Sequence, residues 1–218
     1  MIIYHGSKLT IKNPIPHGSD PHNDYGPSFY MTTSLEGAKV WACKQNSLGV
    51  VNEYEIRKSD YDNLKILDLT DKTKYSPLHW IAILMHFRVL PSNFKENYKT
   101  LLDWIAQYYI DVDDYDIVIG YRADDAYFRF PISFIQNRLS YEDLERIYQL
   151  GDLGIQYAFM SEKAIKSLRF VRTIECEDNF IGKYFEIVQE ATSQFQKTLD
   201  LPVNPDKTYL INMVQNKK

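Results

Sequence analysis

Only two cysteines occur in the 218 residues, Cys43 and Cys176, far apart and without a His or second Cys at metal-ligand spacing. That scarcity argues against a disulfide framework or a zinc site and predicts buried free thiols in a reducing compartment. The histidines offer no other metal set. His17 and His22 fall in a polar loop, and His79 and His86 lie on a predicted helix without a flanking acidic pair. Long hydrophobic runs are also missing. The longest, around Trp80 to Leu90, is broken by His86 and Arg88, and the N-terminus enters Ile2-Ile3-Tyr4 without a basic n-region or an apolar h-region. No signal peptide or membrane span is predicted, and the cytoplasm is the expected compartment. Positive charge is not in excess: a formal net charge of −4 argues against a broadly basic face for nucleic acid. There is no internal repeat, low-complexity tract, Gly-rich phosphate loop or repeating βα unit.

What is present suits one packed core. With 44% hydrophobic and 25% charged residues, the chain can bury a sizeable interior. Residues 1 to 5 read as a strand, and Lys8 to Pro27 as a long loop of turn-forming residues. A loop of that length is often functional. Phe29 to Thr32 is a second strand, after which Thr33 and Glu36 form a capping-box pattern opening a helix through Trp41 and Ala42. Val50 to Ile56 and Lys65 to Leu69 read as strands. Ser76-Pro77 starts an apolar helix up to Leu90, and a second helix spans Leu101 to Ile110. Asp116 to Gly120 is a β-branched strand that runs into turn residues from Arg122 to Tyr127. Ser140 to Leu150 is a helix, Ile155 to Met160 a strand, Ser161 the cap of a short helix to Leu168, and Arg169 to Ile174 the last strand. The remainder is an amphipathic helix with Phe180, Tyr184, Phe185, Val188, Ala191 and Phe195 on one face. Strands scattered among irregularly spaced helices indicate the α+β class.

Three short segments carry chemistry. His5, at a strand end, can hydrogen-bond a ligand hydroxyl, and Gly6 behind it exposes backbone N–H and C=O groups to a planar amide. A His capping a strand end is the plainer reading of the same residues. Tyr30 lies mid-strand, and the following helix brings Trp41 to the same neighbourhood, so the pair can sandwich a flat ring, worth about 0.5–1.5 kcal/mol beyond burial. Equally, they could be two core aromatics. Gln156 opens the strand Ile155 to Met160. It can accept or donate a hydrogen bond but cannot act as a base.

Taken in order, Tyr4-His5-Gly6-Ser7, Phe29-Tyr30 with Trp41, and Gln156-Tyr157 resemble the His, Tyr and Glu motifs of the ADP-ribosyltransferase superfamily, whose members split NAD at its nicotinamide bond. Gln156 stands where that pattern most often has Glu. The start, the stretch Asp116 to Gly120 followed by Ala123-Asp124-Asp125, and Gln156 with Ser161-Glu162-Lys163-Ala164 are more similar still to a family of uncharacterised bacterial domains in that superfamily. There Gln is the usual residue at the third motif.

The resemblance covers about residues 1 to 175. It implies an α+β domain over 1–175 with a split, mostly antiparallel sheet, flanking helices and a helical insertion at about 76–110. The amphipathic helix and tail of 176–218 would pack on that domain. It further implies that His5 holds the adenine-side ribose, that Gly6 and the neighbouring Ser7 contact the nicotinamide end, and that Tyr30 and Trp41 stack on the pyridinium. The loop Lys8 to Ser28 would lie over the dinucleotide. Gln156 would meet the ribose next to nicotinamide, with the turn Gln149 to Ile155 facing the acceptor. Asp124, Asp125 and Glu162 are the candidate acid/base groups.

The implied function is NAD-dependent ADP-ribosyl transfer to a protein or nucleic-acid acceptor, with NAD as co-substrate and no metal. By analogy with the bacterial family, the chain would be an intracellular toxin or regulator with a neutralising, antitoxin-like partner. NAD hydrolysis, a non-catalytic NAD or ADP-ribose binding module, and a plain interaction protein are the alternatives. Turnover separates the first from the second, and absence of any NAD-like ligand would favour the third.

Overall fold

The computed structural model describes residues 1–123, 128–147, 154–200 and 204–216. In chain order the elements begin with β1 (Ile2–Ser7), β2 (Phe29–Met31), α1 (Leu35–Ala42), β3 (Val50–Glu55), α2 (Lys58–Tyr61) and β4 (Ile66–Asp68). Next come α3 (Pro77–Phe87), α4 (Ser92–Asn97), α5 (Lys99–Ile105), β5 (Ile117–Tyr121), α6 (Arg129–Ile135) and α7 (Tyr141–Ile147). The chain closes with β6 (Ile155–Phe159), α8 (Glu162–Lys166), β7 (Arg169–Glu175), α9 (Lys183–Leu199) and α10 (Leu210–Gln215). The class is α+β, as expected.

Two sheets form. One has the order β1-β3-β7 and the other β2-β6-β5-β4. Every pairing is antiparallel except β4 with β5. Among the described residues the sheets meet at one isolated bridge, Tyr4 to Thr32, closed by bonds of 2.8 and 2.9 Å. The strand period of two sorts β5 and β6 between two cores. Ile117, Ile119 and Phe159 join Ile3, Met31 and Tyr54 on one face, while Val118 and Ala158 join Tyr25, Trp80, Ile81 and Phe134 on the other. Tyr30 and Gln156 share the second face, because Tyr30 pairs with Ala158 and Gln156 with Gly120.

Several boundaries differ from the sequence expectation for physical reasons. The cap of α1 is Ser34, one residue later than Thr33: Thr32 Oγ1 accepts from Ser34 N at 3.2 Å, and Ser34 Oγ then accepts from Gly37 N at 3.0 Å. Helix α3 stops at Phe87, short of Leu90, because Arg88 turns extended and reaches Asp24. Helix α6 has no place in the sequence reading. Its Pro131 falls in the first turn, where the missing N–H would have no intrahelical partner. Helix α9 starts only at Lys183, so Phe180 lies ahead of it. The inward stripe is Tyr184, Ile187, Ala191 and Phe195, and Phe185 is 46% exposed. Ala191 and Phe195 enter the same core as the sheet. Cys43 and Cys176 are buried and free, and burial plus the neighbouring Cys43 thiol push Cys176 up to about 12.

Gly6 sets how closely α1 can approach β1. A Cβ there would stand 2.1 Å from the Ala38 carbonyl oxygen and 2.9 Å from Ala42 N, both backbone atoms. Gly6→Ala is therefore expected to destabilise the fold by about 2–3 kcal/mol, measured by urea denaturation. A loss below about 0.5 kcal/mol would show that α1 shifts without penalty.

Candidate functional site

A cavity of about 490 Å³ opens where the two sheets part, beyond the Tyr4–Thr32 bridge. His5, Gly6, Tyr30, Trp41 and Gln156, drawn from β1, β2, α1 and β6, all line it. A second cavity, about 590 Å³, lies among α3, α4 and α5. Apolar Met85, Leu90 and Leu102 form much of its wall, and none of the residues singled out by motif is there. Convergent polar and aromatic groups mark the first as the candidate site.

Backbone groups alternate sides along a strand. Since Tyr4 turns its N–H and C=O to Thr32, Gly6 turns its own the same way, into the gap between the sheets. By the register of that bridge, Gly6 stands across from Tyr30, whose carbonyl oxygen accepts from His5 Nδ1–H at 2.7 Å. With Nδ1 so engaged, the neutral ring offers Nε2 as an acceptor. The ring stacks on Phe29, centroids 4.2 Å apart. Burial holds the imidazole below the ordinary value of 6.5. The bond to the Tyr30 carbonyl partly offsets that, and the Arg122 charge lowers it further.

The long loop between β1 and β2 is pinned over this cavity by side chains from below. Buried Asn52 accepts from Ile11 N at 2.8 Å and donates to Ser7 Oγ at 3.0 Å and Leu9 O at 3.2 Å. Tyr30 Oη donates to Gly26 O at 2.7 Å and accepts from Tyr25 N at 3.0 Å. Burial keeps the Tyr30 phenol well above its usual range, so it stays a neutral donor. Trp41 has Lys44 Nζ 3.7 Å and Arg122 Cζ 4.6 Å from its ring centroid, with Tyr184 edge-on at 6.1 Å. The indole is thus a platform for two cations at the cavity wall.

Gln156 lies at the base of the cavity, 4% exposed. Its Nε2 donates to Asp24 Oδ2 at 2.7 Å and to Tyr121 O at 3.3 Å. Both partners only accept, which fixes the amide with Oε1 as its remaining group. Asp24 comes from the long loop, is buried, and also lines the cavity. It accepts from Ala123 N at 2.8 Å and from Arg88 at 2.8 Å as well. Tyr25 beside it is fully buried and donates to Tyr121 O at 2.9 Å; burial, then the Asp24 charge, hold its phenol far above the ordinary value. Gly120 makes room for that hydroxyl, since a Cβ there would stand 2.1 Å from Tyr25 Oη.

Other expected residues fall elsewhere. Ser7 is outside the cavity lining; its hydroxyl donates to Leu9 O at 2.5 Å and anchors the loop. Glu162 is in the first turn of α8, ion-paired with Lys166 at 2.7 Å and away from the cavity. Asp124 and Asp125 lie outside the described residues, as does most of the turn Gln149 to Ile155. Among the described residues no group of three His, Cys, Asp or Glu is placed to hold a metal ion, and no helix is long and apolar enough to cross a membrane. Sequence reasoning missed Asp24, Lys44, Arg88 and Arg122. Lys44, in the turn just past α1 and three residues after Trp41, was within reach of local spacing; the other three come together only through long-range folding.

The neutral state of His5 has a consequence for stability. Its folded pKa lies below the unfolded one, so the unfolded chain takes up the proton first as pH falls. The stabilisation is complete above about pH 6.5 and is lost progressively below it. Urea denaturation at about pH 8 and pH 5.5 is expected to show wild type losing more stability between the two than His5→Gln. Equal losses would mean that His5 does not fold in its neutral form.

No curated protein and no solved structure matches the chain. A family profile, described as a protein of unknown function (DUF3990), matches residues 1–170. The chain therefore belongs to the DUF3990 family.

Proposed function

We propose that this protein is an NAD-dependent ADP-ribosyltransferase acting on a macromolecular acceptor in the cytoplasm, with a neutralising partner of the antitoxin kind. The observation that carries the reading is the convergence of His5, Gly6, Tyr30, Trp41 and Gln156, from three separate sequence segments, on one cavity. Two further features support it. The Gly6 backbone turned into the gap suits a planar carboxamide. Lys44 and Arg122 on the lining give a net-acidic protein a local cationic wall, which suits a diphosphate, while the Arg88 charge is met by Asp24. With two cations over its ring, Trp41 is better placed to hold that wall than to stack on a positively charged pyridinium. Stacking then falls to Tyr30.

In the proposed reaction the bond from ribose C1′ to the nicotinamide nitrogen breaks, and its electron pair leaves with nicotinamide. The ribose develops oxocarbenium character, and an acceptor nucleophile forms the new bond to C1′ while losing a proton. Gln156 Oε1 accepts a hydrogen bond from a ribose hydroxyl and so favours the developing charge, more weakly than a carboxylate would. Because an amide takes no proton, the acceptor's proton goes to a carboxylate or to solvent. Asp124 and Asp125 follow Ala123 directly in the chain and remain the candidates. Water in place of the acceptor gives hydrolysis of NAD. A binding module without turnover is the second reading, favoured by the amide at position 156.

Labelled NAD incubated with lysate, before and after protease and nuclease treatment, is expected to yield a labelled macromolecule. Gln156→Ala should lower that transfer by about 10²-fold. Calorimetry should show Lys44→Ala weakening NAD binding by about tenfold while leaving nicotinamide binding unchanged. Equal loss for both ligands would remove Lys44 from a diphosphate role, and labelled product with full yield in Gln156→Ala would remove Gln156 from the site. Binding without any turnover would select the binding module.

A further inference from the structure

We infer that Asp24 is a positioning residue for Gln156, and that the pair Asp24–Gln156 together fills the place of a single carboxylate at the third motif. The inference rests on the transferase reading above and adds the identity of the group that sets its amide. Four observations carry it. Asp24 Oδ2 is 2.7 Å from Gln156 Nε2, both side chains are buried, both line the cavity, and the second amide proton is held by the Tyr121 carbonyl.

An unconstrained amide can turn either end toward a ligand, and only one end accepts. Here a charge-assisted bond fixes the donor end inward, so Oε1 is the end left for a ribose hydroxyl. Orientation is the main contribution. The Arg88 guanidinium 2.8 Å from Asp24 Oδ1 offsets much of the field that the carboxylate would otherwise send into the cavity. Asp24 is held in place by the long loop, which Tyr30 Oη and Asn52 fasten at both ends, so the loop sets the geometry of the motif on β6.

The pairing inverts the simplest expectation for a substitution. A carboxylate at position 156 matches the commoner superfamily pattern, yet in this chain it would stand against Asp24 at hydrogen-bond distance. Two carboxylates so close cannot both ionise without strain, and one must take a proton or move away. Gln156→Glu alone is therefore expected to lower kcat for NAD turnover at least tenfold and to lower Tm. Adding Asp24→Asn restores the complement of one carboxylate and one amide. The double variant is expected to raise kcat at least about threefold above Gln156→Glu without reaching wild type, because the amide nitrogen that Asp24→Asn turns toward the carboxylate at position 156 takes the place of Oδ2 and can no longer accept from Ala123 N.

The experiment measures kcat and KM for NAD in wild type, Gln156→Glu, Asp24→Asn and the double variant, with circular dichroism for folding. It also follows the Gln156 side-chain amide resonances in wild type and Asp24→Asn by 15N-labelled NMR. Asp24→Asn should shift those resonances and lower kcat while KM stays within about threefold. Full activity in Gln156→Glu overturns the inference, as does a double variant no better than Gln156→Glu. Unmoved amide resonances in folded Asp24→Asn overturn it as well. If Asp24→Asn does not fold in either background, the activity of Gln156→Glu alone decides. A wild type that neither binds nor turns over NAD overturns the transferase reading instead. The orientation of Gln156 by Asp24 then stands or falls on the resonances alone.

Discussion

A buried carboxylate must be met by donors wherever the chain can bring them, and Asp24 is met from three directions. Arg88 comes off the end of α3, Ala123 follows β5, and Gln156 projects from β6. Removing one partner from such a charge costs about 3–5 kcal/mol, because the charge is left uncompensated in the interior. The long loop, the helices between β4 and β5, and the central strands are thus required to agree on one point. The cavity owes its shape to that agreement. Its floor is the Asp24 cluster, its roof is the same loop that supplies Asp24, and its walls are the two sheets on either side of the Tyr4–Thr32 bridge.

The bridge explains why there is a cavity there at all. Two β1 residues past Tyr4, Gly6 would continue the ladder to Tyr30, but the Tyr30 carbonyl is taken by the His5 ring. A side chain has replaced a backbone partner, and the sheets separate. Gly6 is also where a Cβ would collide with α1, so the strand that loses its neighbour gains a close helix behind it. His5 and Gly6 consequently do structural work where they line the cavity. The strand runs on to Ser7, so His5 lies within it and caps no end; Nδ1 holds the Tyr30 carbonyl instead, and Nε2 is left over.

Much of this was legible in the chain because it is local. Capping at Ser161 is a signal of four residues, and the helix start at Ser76-Pro77 of two. The β-branched run Ile117-Val118-Ile119 alternates into two cores with the strand period. That the motif residues His5, Tyr30, Trp41 and Gln156 line one cavity was legible for a related reason: each lies in a short window of sequence, which is what a resemblance compares. Asp24 was not. It stands among Pro, Gly, Asn and Asp residues, where an acidic side chain ordinarily means a solvated turn. Only contacts over 64, 99 and 132 residues of chain reveal it as the buried charge. Ser7 and Glu162 show the opposite error, since motif proximity suggested a ligand role while the structure engages one with the loop and the other with Lys166.

The amide at position 156 need not signal a disabled site. A carboxylate at the third motif would do two things, accept from the ribose hydroxyl and place negative charge near the developing cation. In the proposed site these fall to two residues. Gln156 keeps the acceptor, and the charge moves one hydrogen bond back to Asp24, where Arg88 largely neutralises it. Stabilisation of the cation should then be weaker than with a direct carboxylate, while the geometry is as well defined. Such a site favours an acceptor that is already a good nucleophile over water. Under the proposed function, that division of labour between Asp24 and Gln156 would tilt the chemistry toward transfer and away from wasteful hydrolysis of NAD.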